Sequence, residues 1–361
     1  MRSDWVRKSI AAYHSSSRRR LVLAAVLLLV IFLLCVLSLS ISRVDVSFTE
    51  ALGIVWNHIT GDVPSRTEDY SAWWIDQVVI NDNAPRTIAG VCVGGILAVA
   101  GAVMQSVTRN PLTDPYTLGI SSAALFGTTV FVIFGFCIVP GLEGSAAQVV
   151  NAFVIALIPA MAIVVVSGFK RLSPNMMILI GIAMMYMFGA FTTFLKFNAD
   201  AQDLEEIYEW GLGTLVDVGW DSLLPLSVTL VLLLVVMVLL APRINVLGTG
   251  DKTSVTLGVN PRRLRALCFL LIAMGTAVAV CFTGSIGFVG LVAPHVARLF
   301  VGSNNRILIP ASAITGALLV VGSDCLVRML PTVLPVGVVT ALIGSPLFLY
   351  FLYMQRKKSS W

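Results

Sequence analysis

The chain has 361 residues, of which 57% are hydrophobic and only 12% charged, and its formal net charge is +5. A soluble domain carries about 25% charged residues because its surface faces water. A mean hydropathy of +0.92 therefore excludes a soluble globular fold, and the small basic surplus follows membrane topology rather than a nucleic-acid partner.

Segment 1–20 is basic and ends on Arg18, Arg19 and Arg20, ahead of an apolar run from Leu21 to Leu39. That run exceeds the ~7–15 residues of a signal-peptide core, and no small-x-small cleavage site follows it, so it reads as a first span that stays in place. Apolar blocks then recur, each long enough for a ~30 Å hydrocarbon layer, which takes about 20 helical residues. The expected spans lie near 21–41, 86–107, 117–138, 147–168, 174–196, 221–241, 264–283, 286–301, 307–327 and 334–354. The expected fold is all-α, a single polytopic transmembrane domain over 21–358 with about ten spans. The eighth span is short and holds Pro294, so it belongs among neighbouring helices rather than against lipid.

Orientation follows from the basic residues. With the N-terminus inside, the cytoplasmic side receives Arg2, Arg7, Lys8, Arg18, Arg19, Arg20, Arg109, Lys170, Arg171 and Arg243. It also receives Lys252, Arg262, Arg263, Arg265, Arg298, Arg306, Arg356, Lys357 and Lys358, which leaves only Arg43, Arg66, Arg86, Lys196 and Arg328 outside. That bias places both termini in the cytoplasm of a multi-pass cell-membrane protein. The outer segments are acidic. Residues 43–85 hold Asp45, Glu50, Asp62, Glu68, Asp69, Asp76 and Asp82, with Trp56, Trp73 and Trp74 suited to an interfacial amphipathic segment. Residues 197–220 hold Asp200, Asp203, Glu205, Glu206, Glu209 and Asp217.

Enzyme and metal chemistry have little to build on. The six cysteines lie in apolar blocks with no C-x-x-C spacing, and His14, His58 and His295 are too scattered for a metal site. Ionisable groups are nearly absent from mid-span, whereas a proton-coupled carrier keeps an acidic or histidine relay there. Gly248-Thr249-Gly250-Asp251-Lys252-Thr253 approaches a phosphate-binding loop, but Asp251 stands where glycine must precede the lysine. No cofactor is expected on this chain, and any ATP hydrolysis belongs to a partner.

Four segments carry more information. Ala84-Pro85-Arg86-Thr87 opens the second span, along which Gly90, Gly94, Ala98 and Ala102 form a small-residue face beside Gly101, suited to close helix packing. Thr108 to Pro115 (TRNPLTDP) is a hydrophilic break with two prolines, a tight inner connection. The cytoplasmic segment 248–262 places Gly250, Asp251, Lys252, Thr253, Leu257, Gly258, Val259 and Asn260 between glycines and a basic run. On its residues alone it reads equally as a linker or as a short docking helix. Gly284, Gly287, Gly290 and Pro294, within GSIGFVGLVAPH, mean a broken or kinked helix. His295 beside it reads more readily as a packed, hydrogen-bonded group than as a ligand.

Taken in order, these segments resemble the FecCD/BtuC-type permeases of ABC importers for iron–siderophore, haem and cobalamin complexes. The resemblance runs from Pro85 to Lys358 and is most specific in GAVMQSVTRNPLTDPYTLGISS, GSIGFVGLVAPHVARLFVG and LPVGVVTALIGSPLFLYFL. It implies ten spans per subunit and a dimer of permease subunits. It further implies two cytoplasmic ATPase subunits that carry ATP and Mg and seat on Asp251–Asn260, and an extracytoplasmic binding protein. Arg86 and Arg328 match the positions that meet that protein in the family. Where the family often shows R-x-x-R before the second span, this sequence has Asn83-Ala84-Pro85-Arg86. An iron–siderophore substrate is the first expectation, with cobalamin or haem as alternatives in the same family and an ion-gradient carrier as the rival class.

Overall fold

The computed structural model describes residues 25–42, 46–61, 64, 67, 69–169, 173–331 and 334–359. The basic segment 1–20 lies outside the described residues, as do Arg43, Arg66, Lys170 and Arg171. The described residues are helical throughout, with no strand. The first helix, α1, covers Ala25–Ser40.

Two short helices follow on the outer side. α2 (Phe48–Thr60) opens with a capping box in which Ser47 and Glu50 satisfy each other's backbone N–H, and it closes on Gly61 at φ 85°. Phe48, Leu52, Trp56 and Ile59 are exposed along one of its sides, the pattern of a helix lying in an interface. α3 (Tyr70–Gln77) is capped by Asp69, whose side chain accepts from the N–H groups of Ser71 and Ala72. Several outer acidic residues are thus helix caps, and Asp76 is bound to His58 Nε2 at 2.8 Å.

α3 does not stop before the second span. It runs through a π-helical turn, Val78–Asn83, into α4 (Ala84–Thr108). Pro85 has no N–H for an i→i−4 bond, and the wider turn absorbs the mismatch, with Ala84 N–H reaching Val79 O. The result is one helical stretch of 39 residues, Tyr70–Thr108, 89% of whose most apolar window is buried.

The remaining helices are α5 (Ile120–Phe134), α6 (Gly144–Phe169), α7 (Pro174–Lys196), α8 (Ala201–Leu212), α9 (Trp220–Gly248), α10 (Asp251–Thr256), α11 (Pro261–Thr283), α12 (Val289–Val301), α13 (Asn305–Met329) and α14 (Val336–Ser359). Among the described residues, six helical stretches are long and apolar enough to cross a membrane, and four shorter apolar helices lie where the remaining expected spans fall. α4 forms the axis of the bundle, packed against α9, α11, α12 and α13, while α7 and α9 present most of their length outward.

Two spans are shorter than the sequence suggests. α5 begins at Ile120 because the connection after Thr108 turns back into the bundle. Its 3₁₀ turn, Pro115–Leu118, lies against Gly290, which in turn faces Leu97 and Gly101 well above the inner end of α4. α12 has 13 residues, about 20 Å of helix, because residues 284–288 ahead of it are irregular, with Gly284 and Phe288 both at positive φ.

Candidate functional site

The outer end of the bundle carries a buried charge network. Asp324, 1% exposed on α13, receives Arg86 Nε at 2.6 Å on Oδ1 and pairs through Oδ2 with Arg328 Nη2 at 2.7 Å. Arg328 Nη1 also donates to Ser38 O at 2.9 Å, Ile41 O at 3.1 Å and Asn83 Oδ1 at 3.0 Å, and Nη2 donates to Ser38 Oγ. Asn83 Nδ2 donates to Leu39 O at 2.9 Å. The carbonyls at the end of α1 have no helical partners of their own, so Arg328 and Asn83 cap α1 and tie it to α4 and α13. Asn83, which stands where the family often has arginine, is therefore part of the clamp. Arg86 and Arg328 both point inward, with side chains 13% and 5% exposed. Two guanidiniums against one carboxylate leave one surplus positive charge beneath the outer face.

At mid-depth the glycines mark where backbones touch. A Cβ added at Gly94 would lie 2.4 Å from Gly316 O, one at Gly101 1.8 Å from Gly290 O, and one at Gly90 3.1 Å from Val321. The small face of α4 thus seats α13, while Gly101 receives the start of α12. Gly284, at φ 66°, crosses Trp210 O at 2.0 Å from its would-be Cβ. Gly213 and Gly337, which the sequence did not single out, complete that crossing: each would place a Cβ within 3 Å of Ser285 O. Gly287 has open space around it. The break before α12 is carried by Phe288, at φ 67°, whose Cβ packs on Gly344. Tyr116 pins the same stretch: its hydroxyl donates to Ile286 O at 3.1 Å and accepts from Ile286 N at 3.0 Å. Pro294 and His295 are buried in α12, where His295 Nδ1 lies 2.8 Å from Leu291 O and the ring stacks on Phe351.

At the inner end α10 is held rigidly. Gly250, at φ 115°, turns the chain out of α9. Ser254, fully buried, donates Oγ to Val246 O at 3.0 Å and to Gly250 O at 2.6 Å. Arg265 forks onto Asp251, Nη1 to Oδ2 at 2.8 Å and Nη2 to Oδ1 at 2.6 Å, while its Nε donates to Val107 O at 3.2 Å. Arg109 Nη2 reaches Asp251 Oδ1 at 3.0 Å. The Arg265 hydrogen bonds, with the charges of Arg265 and Arg109, hold the Asp251 carboxyl below the usual range against the opposing effect of burial. Gly258, at φ 78°, reverses the chain, and Asn260 caps α11 by accepting from Arg263 N at 3.1 Å. What this scaffold displays includes an apolar pair, Val255 at 62% and Leu257 at 60% exposed, with Lys252, Thr253 and Thr256 exposed beside them. Sequence reading missed Arg265, Arg109 and Ser254. An acid at the start of a short helix followed by an arginine-rich helix start was the available signal.

Comparisons with known proteins agree with this architecture. The model of the FecCD transport family matches residues 27–354. The hemin transport system permease protein HmuU of Yersinia pestis is 34% identical over 91% of this chain and 95% of its own length. The cobalamin import system permease protein BtuC of Halobacterium salinarum is 37% identical over 76% of this chain and 73% of its own. Among solved structures, one described as an inward-facing conformation of a metal-chelate type ABC transporter superimposes with a TM-score of 0.79 at 30% identity, covering 92% of this chain and 99% of that one.

Proposed function

This chain belongs to the FecCD transport family, and from that premise we propose that it lines the passage of an ABC importer that carries a metal chelate inward, an iron–siderophore complex first. Two copies of the chain would form the passage, and two cytoplasmic ATPase subunits holding ATP and Mg would drive it. The observation that carries this reading is α10. A short helix locked by Ser254, Arg265 and Arg109 displays Val255 and Leu257 where the charge bias puts the cytoplasm. An exposed apolar pair on a rigid element is what a soluble partner's groove would accept. Because α10 follows α9 and leads into α11, a push on it would be delivered to two spans that pack on the central α4.

On the outer side, a delivery protein would meet Arg86 and Arg328 as a pair whose charge Asp324 partly offsets, with Arg86 the more accessible. Asp324, a buried carboxylate on a span, is clamped between two guanidiniums rather than free to relay a proton or hold an ion, which favours the ATP-driven reading. Haem and cobalamin remain substrates of the same scheme, since relatives named for both match along the chain. The test is uptake into vesicles holding the chain, its ATPase and a binding protein loaded with ferric siderophore. Uptake should cease when ATP is withdrawn and survive ionophores that collapse ion gradients; the reverse pattern would sink the proposal.

A further inference from the structure

Beside α10 the inner ends of four helices line an open pocket of about 330 Å³. Gln105 and Arg109 of α4, Asn245 of α9, Arg298 of α12, Ser303 of the turn that follows and Asn305 at the start of α13 are among its walls, and no acidic side chain lines it. Asn245 and Asn305 are engaged with each other, Asn305 Nδ2 donating to Asn245 Oδ1 at 2.8 Å, and Arg109 is answered by Asp251. Two groups facing the pocket are not answered. The Arg298 side chain makes no hydrogen bond or ion pair among the described residues. Gln105 is 3% exposed, and its Oε1 has no partner although its Nε2 donates to Leu291 O at 3.2 Å. Arg298 is half-buried, with its guanidinium free of any counter-charge among the described residues, and a buried orphan acceptor such as Gln105 Oε1 costs free energy unless a ligand or solvent satisfies it. Next to Arg298, Leu299 and Phe300 are 68% and 48% exposed, so apolar surface adjoins the cationic wall.

We propose that this pocket binds a phosphate group that carries a hydroxyl, with Arg298 as the residue that holds it. Guanidinium donors match phosphate oxygens two at a time, and the hydroxyl would donate the hydrogen bond that Gln105 Oε1 lacks. Basic pockets between spans on the cytoplasmic side suit anionic lipid headgroups. A glycerol-headed phospholipid supplies the phosphate and the hydroxyl, and its chains would lie along Leu299 and Phe300. Inorganic hydrogen phosphate supplies the first two alone. The inference does not rest on the import reading.

The full-length chain, in uncharged detergent, is titrated with phosphatidylglycerol, with phosphatidylcholine, and with inorganic phosphate against chloride at equal ionic strength, and its unfolding midpoint is followed. The midpoint should rise with phosphatidylglycerol or phosphate and not with phosphatidylcholine. A rise with the lipid only assigns a headgroup; an equal rise with phosphate assigns a soluble ion. R298Q should raise the half-saturating concentration about tenfold or more, the loss of a charge-assisted pair, while R263Q, the same charge loss on the exposed inner surface, should leave it unchanged. If R298Q does not fold, R298K, which keeps the charge without the fork, should bind more weakly than R263K. No rise in the unaltered chain, equal losses at Arg263 and Arg298, or unchanged binding in R298K would overturn the proposal. So would an Arg298 effect that appears only when an ATPase subunit is added, since that would assign the arginine to a protein contact.

Discussion

Asp324 answers two arginines inside the outer half of the bundle, and its neighbours show why neither guanidinium is left to lipid. Arg328 spends its remaining donors on the last carbonyls of α1 and on Asn83. D324A would leave two buried cations without a counter-charge, at a cost of about 3–5 kcal/mol. The folded yield and unfolding midpoint should fall accordingly, whereas N83A, which removes a neutral acceptor from Arg328 and a neutral donor from Leu39 O, should cost only about 1–3 kcal/mol. Asp251 behaves differently because its side chain is 47% exposed, so D251N should barely move global stability. Its pH dependence follows from a lowered carboxyl pKa. The contribution of the pair is complete above the ordinary aspartate value of ~3.9 and is lost as pH falls through the lowered folded value. Hydrogen exchange of the α10 amides, corrected for intrinsic rate, should therefore give the same opening equilibrium at pH 7 and pH 5. D251N should be more open at both. These partners were not legible in the sequence. Arg86 and Asp324 lie 238 residues apart, and hydropathy reports which residues are in a span but not which way each turns.

Among the elements, the spans themselves were legible because twenty apolar residues have one way to satisfy their backbone in lipid. Where the reading overran, the cause was local geometry. α5 begins at Ile120 because Pro115–Leu118 re-enters the bundle, and α12 begins at Val289 because Phe288 takes a left-handed conformation. Neither departure changes hydropathy, so neither leaves a mark on it. The π turn ahead of Pro85 had a signal in the proline, but its consequence, a second span continuous with α3, depends on where Val78–Asn83 packs. Glycines divide the same way. Gly101 and Gly287 look alike in sequence, yet one touches Gly290 O and the other has open space. G101A should push α12 off α4 and lower stability by about 1–3 kcal/mol or more. G287A should be neutral or slightly stabilising. Thermal unfolding of the two variants side by side measures the difference, and equal effects would show that the α4–α12 contact is looser than its geometry.

For the molecule as a whole, one helix organises the rest: α4 meets α13 through Gly94 and Gly316 and α12 through Gly101 and Gly290. The outer clamp at Asp324 ties α1 to that axis. At the inner end, Arg265 and Arg109 tie α10 to it. A displacement of α10 therefore has a continuous packed route to the centre of the bundle. The most direct measurement is ATP-dependent uptake by V255D/L257D, which places two charges on the displayed face of α10 and touches none of its internal contacts. The variant should keep the unfolding midpoint of the unaltered chain but lose both co-purification with the ATPase and uptake. Uptake at the unaltered rate by a correctly folded V255D/L257D chain would contradict the account.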